Sequence, residues 1–208
     1  MKTLYYAFID FKKAYDSIDR KKLIEVLAKF KINPQIIDLI VQMYQEDNTV
    51  IQLGKMRKKI EVTGGIRQGC YISTLLFKMV TFTIIEELRS MQKYKIGKFN
   101  DNSLWLADDA TLIADNPDTL MELLDCLSKA GGKSGLEINK DKTKIMRIRG
   151  PDGDNRIGDY EIVPETKYLG ITIGGRGRHI FEKENKEFLT NAEKKVNSLI
   201  AQIKKKCR

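Results

Sequence analysis

The sequence predicts an α+β fold, one antiparallel sheet backed by helices. Three observations lead there. Several segments carry apolar residues at i, i+3, i+4 and i+7, the period of a helix with one buried face. Others are short apolar runs bounded by turn residues, which suits strands. No internal repeat, and no linker-like stretch longer than the GPDGDN turn (150–155), divides the chain. With 208 residues, 42% of them hydrophobic, one large core or two modest ones can form, and one domain is the economical choice.

The elements follow in order. LYYAFI (4–9) reads as a buried strand ending in Asp10. Leu23, Val26, Leu27 and Phe30 make an amphipathic helix. Asn33-Pro34, a cap followed by proline at the first helical position, opens a second helix with Ile36, Leu39, Ile40 and Met43 on one face. Val50 to Leu53 and Lys58 to Val62 form a hairpin across Gly54. TGGIRQG (63–69) leads into a long apolar helix from about Ser73 to Arg89. Ser103 to Ala114 reads as two short strands meeting at Asp108-Asp109. Asn116-Pro117 opens a further helix, with Leu120, Leu123, Leu124 and Leu127 at helical spacing, and Gly131-Gly132 stops it. Short strands are expected around Leu136 to Ile138, Lys144 to Ile148 and Tyr168 to Ile173. A last helix carries Val196, Leu199, Ile200 and Ile203 and ends in KKKCR.

Composition narrows the function classes. It is that of a globular chain, not a disordered or low-complexity one. Cys70, Cys126 and Cys207 are odd in number, scattered and without a CxxC pair, which speaks against a disulfide scaffold or a cysteine zinc site. The single histidine, His179, excludes a multi-histidine metal site and most Ser-His or Cys-His triads. The stretch from Gly69 to Ile85 is broken by Lys78 and falls short of a membrane span, and LYYAFI is too brief for a signal peptide. A soluble intracellular protein with no membrane partner is expected. The net charge of +9 suits a polyanionic partner held through phosphates, or simply a solvated basic surface. The excess gathers at Lys55, Arg57, Lys58, Lys59 and Arg67, and again over residues 181–208.

Three constellations could carry chemistry. In FIDFKKAYD (8–16), an acid at the end of a buried strand is costly unless paired or holding a metal; the plain alternative is a cap on the next turn. In LADDA (106–110), two adjacent Asp form a turn or present carboxylates from a hairpin tip. Mg2+ takes few carboxylates and completes its octahedron with water and substrate phosphate, so three such groups from two strands would suit a pair of ions. GGIRQGCYIS (64–73) is a glycine-rich loop entering a helix, able to approach a nucleotide closely with Arg67 and Gln68 as donors. Dinucleotide and P-loop fingerprints are both absent.

In this order and spacing the segments resemble the reverse transcriptase palm of non-LTR (LINE-type) retrotransposons. FIDFKKAYDSID is similar to the family's first catalytic motif, GIRQGCYISTLLF to its template- and nucleotide-facing motif, and LADD to its Ala-Asp-Asp motif. GLEINKDKTKIM (135–146) is similar to the next motif and KYLGITI (167–173) to the primer-grip segment, so the resemblance runs from about residue 4 to 175. It implies an RNA-directed DNA polymerase that uses two Mg2+ ions, or Mn2+, on Asp10, Asp108 and Asp109. Deoxynucleoside triphosphates, an RNA template and a DNA primer would be its partners, with fingers, thumb and endonuclease domains elsewhere in the same polyprotein, in cytoplasm and nucleus.

Carried over by position, Phe11, Tyr15, Gln68 and Gly69 would face the nucleotide, Tyr15 acting as the ring that rejects a 2′-hydroxyl. Lys142 would give a proton to the leaving pyrophosphate, or is a solvated turn lysine. Tyr168, Leu169 and Gly170 would hold the primer end, and Lys55, Arg57, Lys58, Lys59 and Arg67 would meet nucleic acid. The implied domains are a palm over 1–175, with partial fingers at roughly 20–65, and the start of a thumb over 176–208. Leu106 stands where the family has an aromatic residue, Tyr71 and Thr74 where it has proline, and Lys78 where it has asparagine. None of these removes a metal ligand. A module that binds nucleic acid without turnover is the alternative reading, and a metal-dependent phosphohydrolase a third.

Overall fold

The computed structural model describes residues 3–45, 48–90, 102–149, 153–169 and 171–174. The elements are β1 (Leu4–Ile9), α1 (Arg20–Lys29), α2 (Pro34–Gln45), β2 (Asn48–Leu53), β3 (Met56–Glu61), α3 (Tyr71–Ser90), β4 (Ser103–Leu106), β5 (Asp109–Ala114), α4 (Pro117–Gly132), β6 (Lys144–Ile148), β7 (Arg156–Ile157), β8 (Tyr160–Ile162), β9 (Glu165–Tyr168) and β10 (Ile171–Gly174). Six strands form one sheet in the order β4-β5-β1-β6-β8-β7, and β2-β3 and β9-β10 are separate two-stranded ribbons. The first strand of the chain is therefore an inner one. It pairs antiparallel with β5, Tyr5 opposite Ala114 through Ile9 opposite Ala110, and with β6, Leu4 opposite Ile148 through Phe8 opposite Lys144.

An inner strand needs apolar residues on both faces if both are covered, which accounts for the unbroken run LYYAFI. Ala7 and Ile9 join Ala110, Leu112, Ala114 and Ile145 in the core against the helices. From α3 come Leu76, Phe77, Val80 and Ile84, and from α4 Leu120, Leu123, Leu124 and Leu127, all buried. Each such leucine contributes about 1.5–3 kcal/mol by leaving water. Caps set the helix starts. The Asp19 carboxylate accepts from the Lys21 and Lys22 N–H groups, and the Asn116 side chain accepts from Thr119 N–H, with Pro117 in the first turn.

Several elements differ from the sequence reading. The sheet is antiparallel except that β8 lies parallel to β6, a pairing no local pattern specifies. The β7–β8 hairpin has no counterpart in that reading. Over Leu136 to Ile138 there is only the single bridge between Phe11 and Ile138. Tyr168 to Ile173 is not one strand but parts of two antiparallel ones, Tyr168 pairing with Ile171, with Leu169 at φ 52. In α2 the packed face is Ile40 and Tyr44, while Ile36, Leu39 and Met43 point outward. Gln35, Asp38, Gln42 and Gln45 share one side of the helix and leave a broad apolar sector, so packing chose which part of that sector is buried. α4 does end at the glycine pair as expected, with Gly132 its last residue and Lys133 at the C-cap. The expected C-terminal helix, with Val196 to Ile203 and the basic end, lies outside the described residues, as do His179 and Cys207. Among the described residues, no helix is long and apolar enough to cross a membrane.

Candidate active site

Register brings the acids together. Ile9 stands opposite Ala110, so the next step outward sets Asp10 beside Asp109. Side chains alternate along a strand. With Ala7, Ile9, Ala110 and Leu112 committed to the helix side, Phe8, Asp10, Asp109 and Thr111 share the opposite face. The hairpin between β4 and β5 is as short as hairpins get. Leu106 pairs with Asp109, leaving Ala107 and Asp108 as the two loop residues. Ala107 takes φ 54, a conformation that such loops usually give to glycine or asparagine. Asp108 thus sits at an exposed tip beside the half-buried Asp109.

Past β1 the chain is laced to the segment 137–143. Asp10 N–H donates to Thr143 Oγ1 (3.2 Å), Asn139 N–H to the Asp10 carbonyl (2.8 Å), and Lys12 N–H to the Glu137 carbonyl (2.9 Å). Phe11 is buried and stacks on Trp105, ring centroids 6.1 Å apart. A cleft of about 460 Å³ opens here, lined by Asp10, Lys12, Lys13, Asp16, Asn139 and Lys142 among others. The Asn139 side chain accepts from Lys142 N–H (3.4 Å) and its carbonyl from Thr143 N–H (2.8 Å), a local turn that carries the exposed Lys142.

The glycine loop lies against the turn that follows β1, residues 15–18. Gly65 N–H donates to the Ile18 carbonyl (2.9 Å) and Ile66 N–H to the Tyr15 carbonyl (2.8 Å). Tyr15 is half-buried and stacks flat on Phe77 of α3, 4.7 Å between centroids. Gln68 and Gly69 are exposed. Arg67 donates to the Met43 carbonyl (3.3 Å) and lies 6.0 Å from the Tyr44 ring centre. Backbone N–H groups of Ile72 and Ser73 at the start of α3 hold the Cys70 thiol below its ordinary pKa.

The basic ribbon β2–β3 has two unlike faces. Gln52 opposite Arg57 and Val50 opposite Lys59 share one, where Arg57 donates to Gln52 (3.1 Å). Ile51 opposite Lys58 and Leu53 opposite Met56 share the other. Lys58 is thereby separated from Arg57 and Lys59, while Lys55 occupies the turn. Of the expected primer-grip residues, Tyr168 packs against Phe8 (5.0 Å) on the face that bears Asp10, Leu169 is exposed in its turn, and Gly170 lies outside the described residues.

Asp10, Lys142 and the loop-facing turn are therefore neighbours, whereas the ribbon lysines belong to a separate small sheet. Sequence reasoning missed Thr143 and Asn139, although the N-K-D turn signal was present, and it missed Lys12, Lys13 and Asp16 as cleft residues. Burial, then the Asp108 and Asp10 carboxylates, hold the Asp109 carboxyl above the ordinary carboxylate range. Among the described residues no three His, Cys, Asp or Glu close into a ready-made metal cage. The donor set nevertheless fits Mg2+. These are hard oxygen ligands under mutual repulsion, and Mg2+ takes few carboxylates beside water and phosphate.

Comparison of folds gives the class. Telomerase from Candida tropicalis, solved in complex with a TWJ fragment of telomeric RNA, superposes with a TM-score of 0.64 at 18% identity, over 84% of this chain and 29% of that one. The apo form of the same enzyme gives 0.62. The fold is that of a reverse transcriptase palm. Residues 1–173 match the family model for reverse transcriptase (RNA-dependent DNA polymerase), and the chain belongs to that family. It is similar to the Pol polyprotein of the type-1 retrotransposable element R2 of Nasonia vitripennis, 26% identical over 85% of this chain. The Pol polyprotein of the Drosophila melanogaster element R2DM is also 26% identical over 85%. These relatives bear out a reverse transcriptase domain of the non-LTR retrotransposon kind. The chain spans about a fifth of their length, 19% and 18%.

Proposed function

We propose that this chain is the catalytic palm of an RNA-directed DNA polymerase that transfers deoxynucleotides onto a primer 3′ end. The observation that carries the reading is the register that sets Asp10 beside Asp109, with Asp108 in the adjoining turn. Two Mg2+ ions, when bound, would activate the primer hydroxyl and offset charge on the leaving oxygen. Asp10, Asp108 and Asp109 would hold them. The primer 3′ oxygen forms a bond to the α-phosphorus as the bond to pyrophosphate breaks. Lys142, in the cleft with Asp10, gives the departing pyrophosphate a proton, and Lys12 and Lys13 meet its charge. Tyr15, held flat on Phe77, lies under the sugar and excludes a 2′-hydroxyl. Gln68 and Gly69 border the new base pair, and Tyr168 with Leu169 and Gly170 steadies the primer.

In this reading residues 1–175 form the palm, roughly 20–65 belong to the fingers and 176–208 begin a thumb. The RNA template and DNA primer meet Lys55, Arg57, Lys58, Lys59 and Arg67, further domains of the polyprotein supply the remaining grip, and the work is done in cytoplasm and nucleus. A second reading, binding without turnover, draws on Leu104 and Leu106, both 57% exposed beside the acids where the family carries an aromatic residue at 106.

The test is thermal melting with and without Mg2+. Millimolar Mg2+ raises Tm of the unaltered chain, since a ligand that binds only the folded state stabilises it, while Asp109→Asn abolishes the response. An identical Mg2+ response in Asp109→Asn removes the metal assignment. Primer extension by a version completed with fingers and thumb separates the two readings: a folded, metal-responsive but inactive protein favours the binding module.

A further inference from the structure

We infer that Arg20 is the positioning residue of the loop 64–69, setting affinity for the incoming nucleotide through that loop's backbone. The inference rests on the polymerase reading above. Arg20 is the first residue of α1 and lies outside the Asp10 cleft. Its Nε donates to the Gly65 carbonyl (2.8 Å), Nη1 to the carbonyls of Val62 (2.8 Å) and Tyr44 (3.0 Å), and Nη2 to that of Gly64 (3.1 Å). The guanidinium carbon also lies 4.7 Å from the centre of the Tyr44 ring. Three stretches distant in sequence thus end on one side chain: the start of α1, the last turn of α2, and the passage from β3 into the glycine loop.

The geometry is specific to arginine. A planar fork with five N–H donors in fixed directions can serve carbonyls on different sides, which three donors on a single lysine nitrogen cannot reproduce. The loop is gripped from two directions. Its carbonyls at 64 and 65 accept from Arg20, while its N–H groups at 65 and 66 donate to the carbonyls of Ile18 and Tyr15. Gly65 lies so close to Asp16 that a Cβ there would stand 2.6 Å from the Asp16 Cα, so the loop backbone rests on the wall of the cleft itself. Gln68 and Gly69 are exposed and inherit their position from the anchored residues before them and α3 after them. Loss of Arg20 frees the loop to shift relative to Tyr15 and Asp16 without removing any group that meets the substrate.

The test uses the full 208-residue chain as wild type, Arg20→Ala and Arg20→Lys. Three quantities are measured: binding of a fluorescent deoxyadenosine triphosphate with Mg2+, binding of a labelled primer–template, and amide exchange at Gly65, Ile66 and α4. Both variants are expected to lose about tenfold or more in nucleotide affinity, the scale on which supporting residues act in ligand sites. Exchange at Gly65 and Ile66 should accelerate, while α4 protection and primer–template affinity stay as in wild type. Arg20→Lys, which keeps the charge and the stem, decides the matter if Arg20→Ala unfolds. Undiminished nucleotide affinity in the variants overturns the inference alone, as does an equal loss of nucleotide and primer–template binding, which would mark Arg20 as a general stabiliser. Failure of the wild-type chain to bind the nucleotide overturns the polymerase reading and the inference with it.

Discussion

Replacing Gly135 by alanine tests how the cleft wall is built. Gly135 has φ +88, and a Cβ on it would stand 2.2 Å from the Ser17 carbonyl oxygen and 3.1 Å from the Asp19 nitrogen. Two costs add. The left-handed conformation penalises any Cβ by about 1–2 kcal/mol. The overlap is with backbone, and that backbone is tied: Asp19 N–H donates to the Ser134 carbonyl (3.0 Å), and the Asp19 side chain caps α1. Forcing it aside resembles overpacking, about 1–3 kcal/mol. Reduced freedom of the unfolded chain returns about 0.4–1 kcal/mol, leaving a net loss of about 1–4.5 kcal/mol. For a domain of this size each kcal/mol moves Tm by about 2–4 °C, so Gly135→Ala should melt roughly 2–18 °C lower by circular dichroism. Gly132→Ala is the control. It lies in α4 with nothing within 4 Å of the added methyl and should gain up to about 1 kcal/mol. Equal melting of the two variants would refute the close approach of residue 135 to Ser17, and with it this account of the wall.

Other expectations concern single side chains. Tyr15→Ala should lower stability by about 2 kcal/mol by removing the stack on Phe77 and, in a polymerising version, raise ribonucleotide use; Tyr15→Phe should do neither, and unchanged selectivity in Tyr15→Ala leaves the ring a packing role only. Cys70, whose thiol is held low by backbone donors, carries more thiolate near neutral pH than Cys126, whose thiol is pushed up first by burial and then by Glu87. Iodoacetamide followed by peptide mapping should therefore find Cys70 alkylated before Cys126, and the reverse order contradicts the assignment. The double change Arg57→Ala with Lys59→Ala should reduce the slope of log K against log salt for single-stranded RNA by about 1.4, that is about 0.7 for each phosphate no longer neutralised. Lys58→Ala, on the ribbon's other face, should reduce it by about 0.7; an unchanged slope would remove Lys58 from the nucleic-acid contacts and leave them to the Arg57 and Lys59 face.

What could be read from the sequence divides by range. β1 and α4 were legible because their patterns are local: an unbroken apolar run in one, leucines at helical spacing after Asn-Pro in the other. The acids were legible as neighbours in sequence, at 108 and 109, and as the end of a strand at 10. Their meeting depends on the pairing of Ile9 with Ala110, which no local feature states. In α2 the sequence offers two apolar stripes that share Ile40, and only tertiary contacts decide that Tyr44 rather than Met43 faces inward: packing against α1, and the hydrogen bond between the Tyr44 hydroxyl and Ser73 Oγ of α3 (3.2 Å). The turn within KYLGIT was hidden because Leu169, not a glycine, takes the positive φ. Arg20 was invisible for a further reason: its acceptors are backbone carbonyls, which leave no trace in side-chain type.

The inner position of β1 bears on how such a domain comes into being during synthesis. The strand leaves the ribosome before its two partners, β5 and β6, which follow roughly 100 and 140 residues later. Until they arrive, LYYAFI is an unpaired apolar segment with free edges, the kind of species that aggregates or needs a chaperone. The sheet cannot nucleate locally, because its central contacts close long loops before they yield stability, and such topologies fold slowly. At translation speeds of about 5–20 residues per second, the strand waits several seconds or more for β5. A nascent chain arrested before residue 109 holds two helices, a ribbon and a third helix but no central sheet, and Asp10 has no partner. Assembly of the acids is thus timed by the emergence of β5, roughly 100 residues after β1, rather than by anything near Asp10 itself.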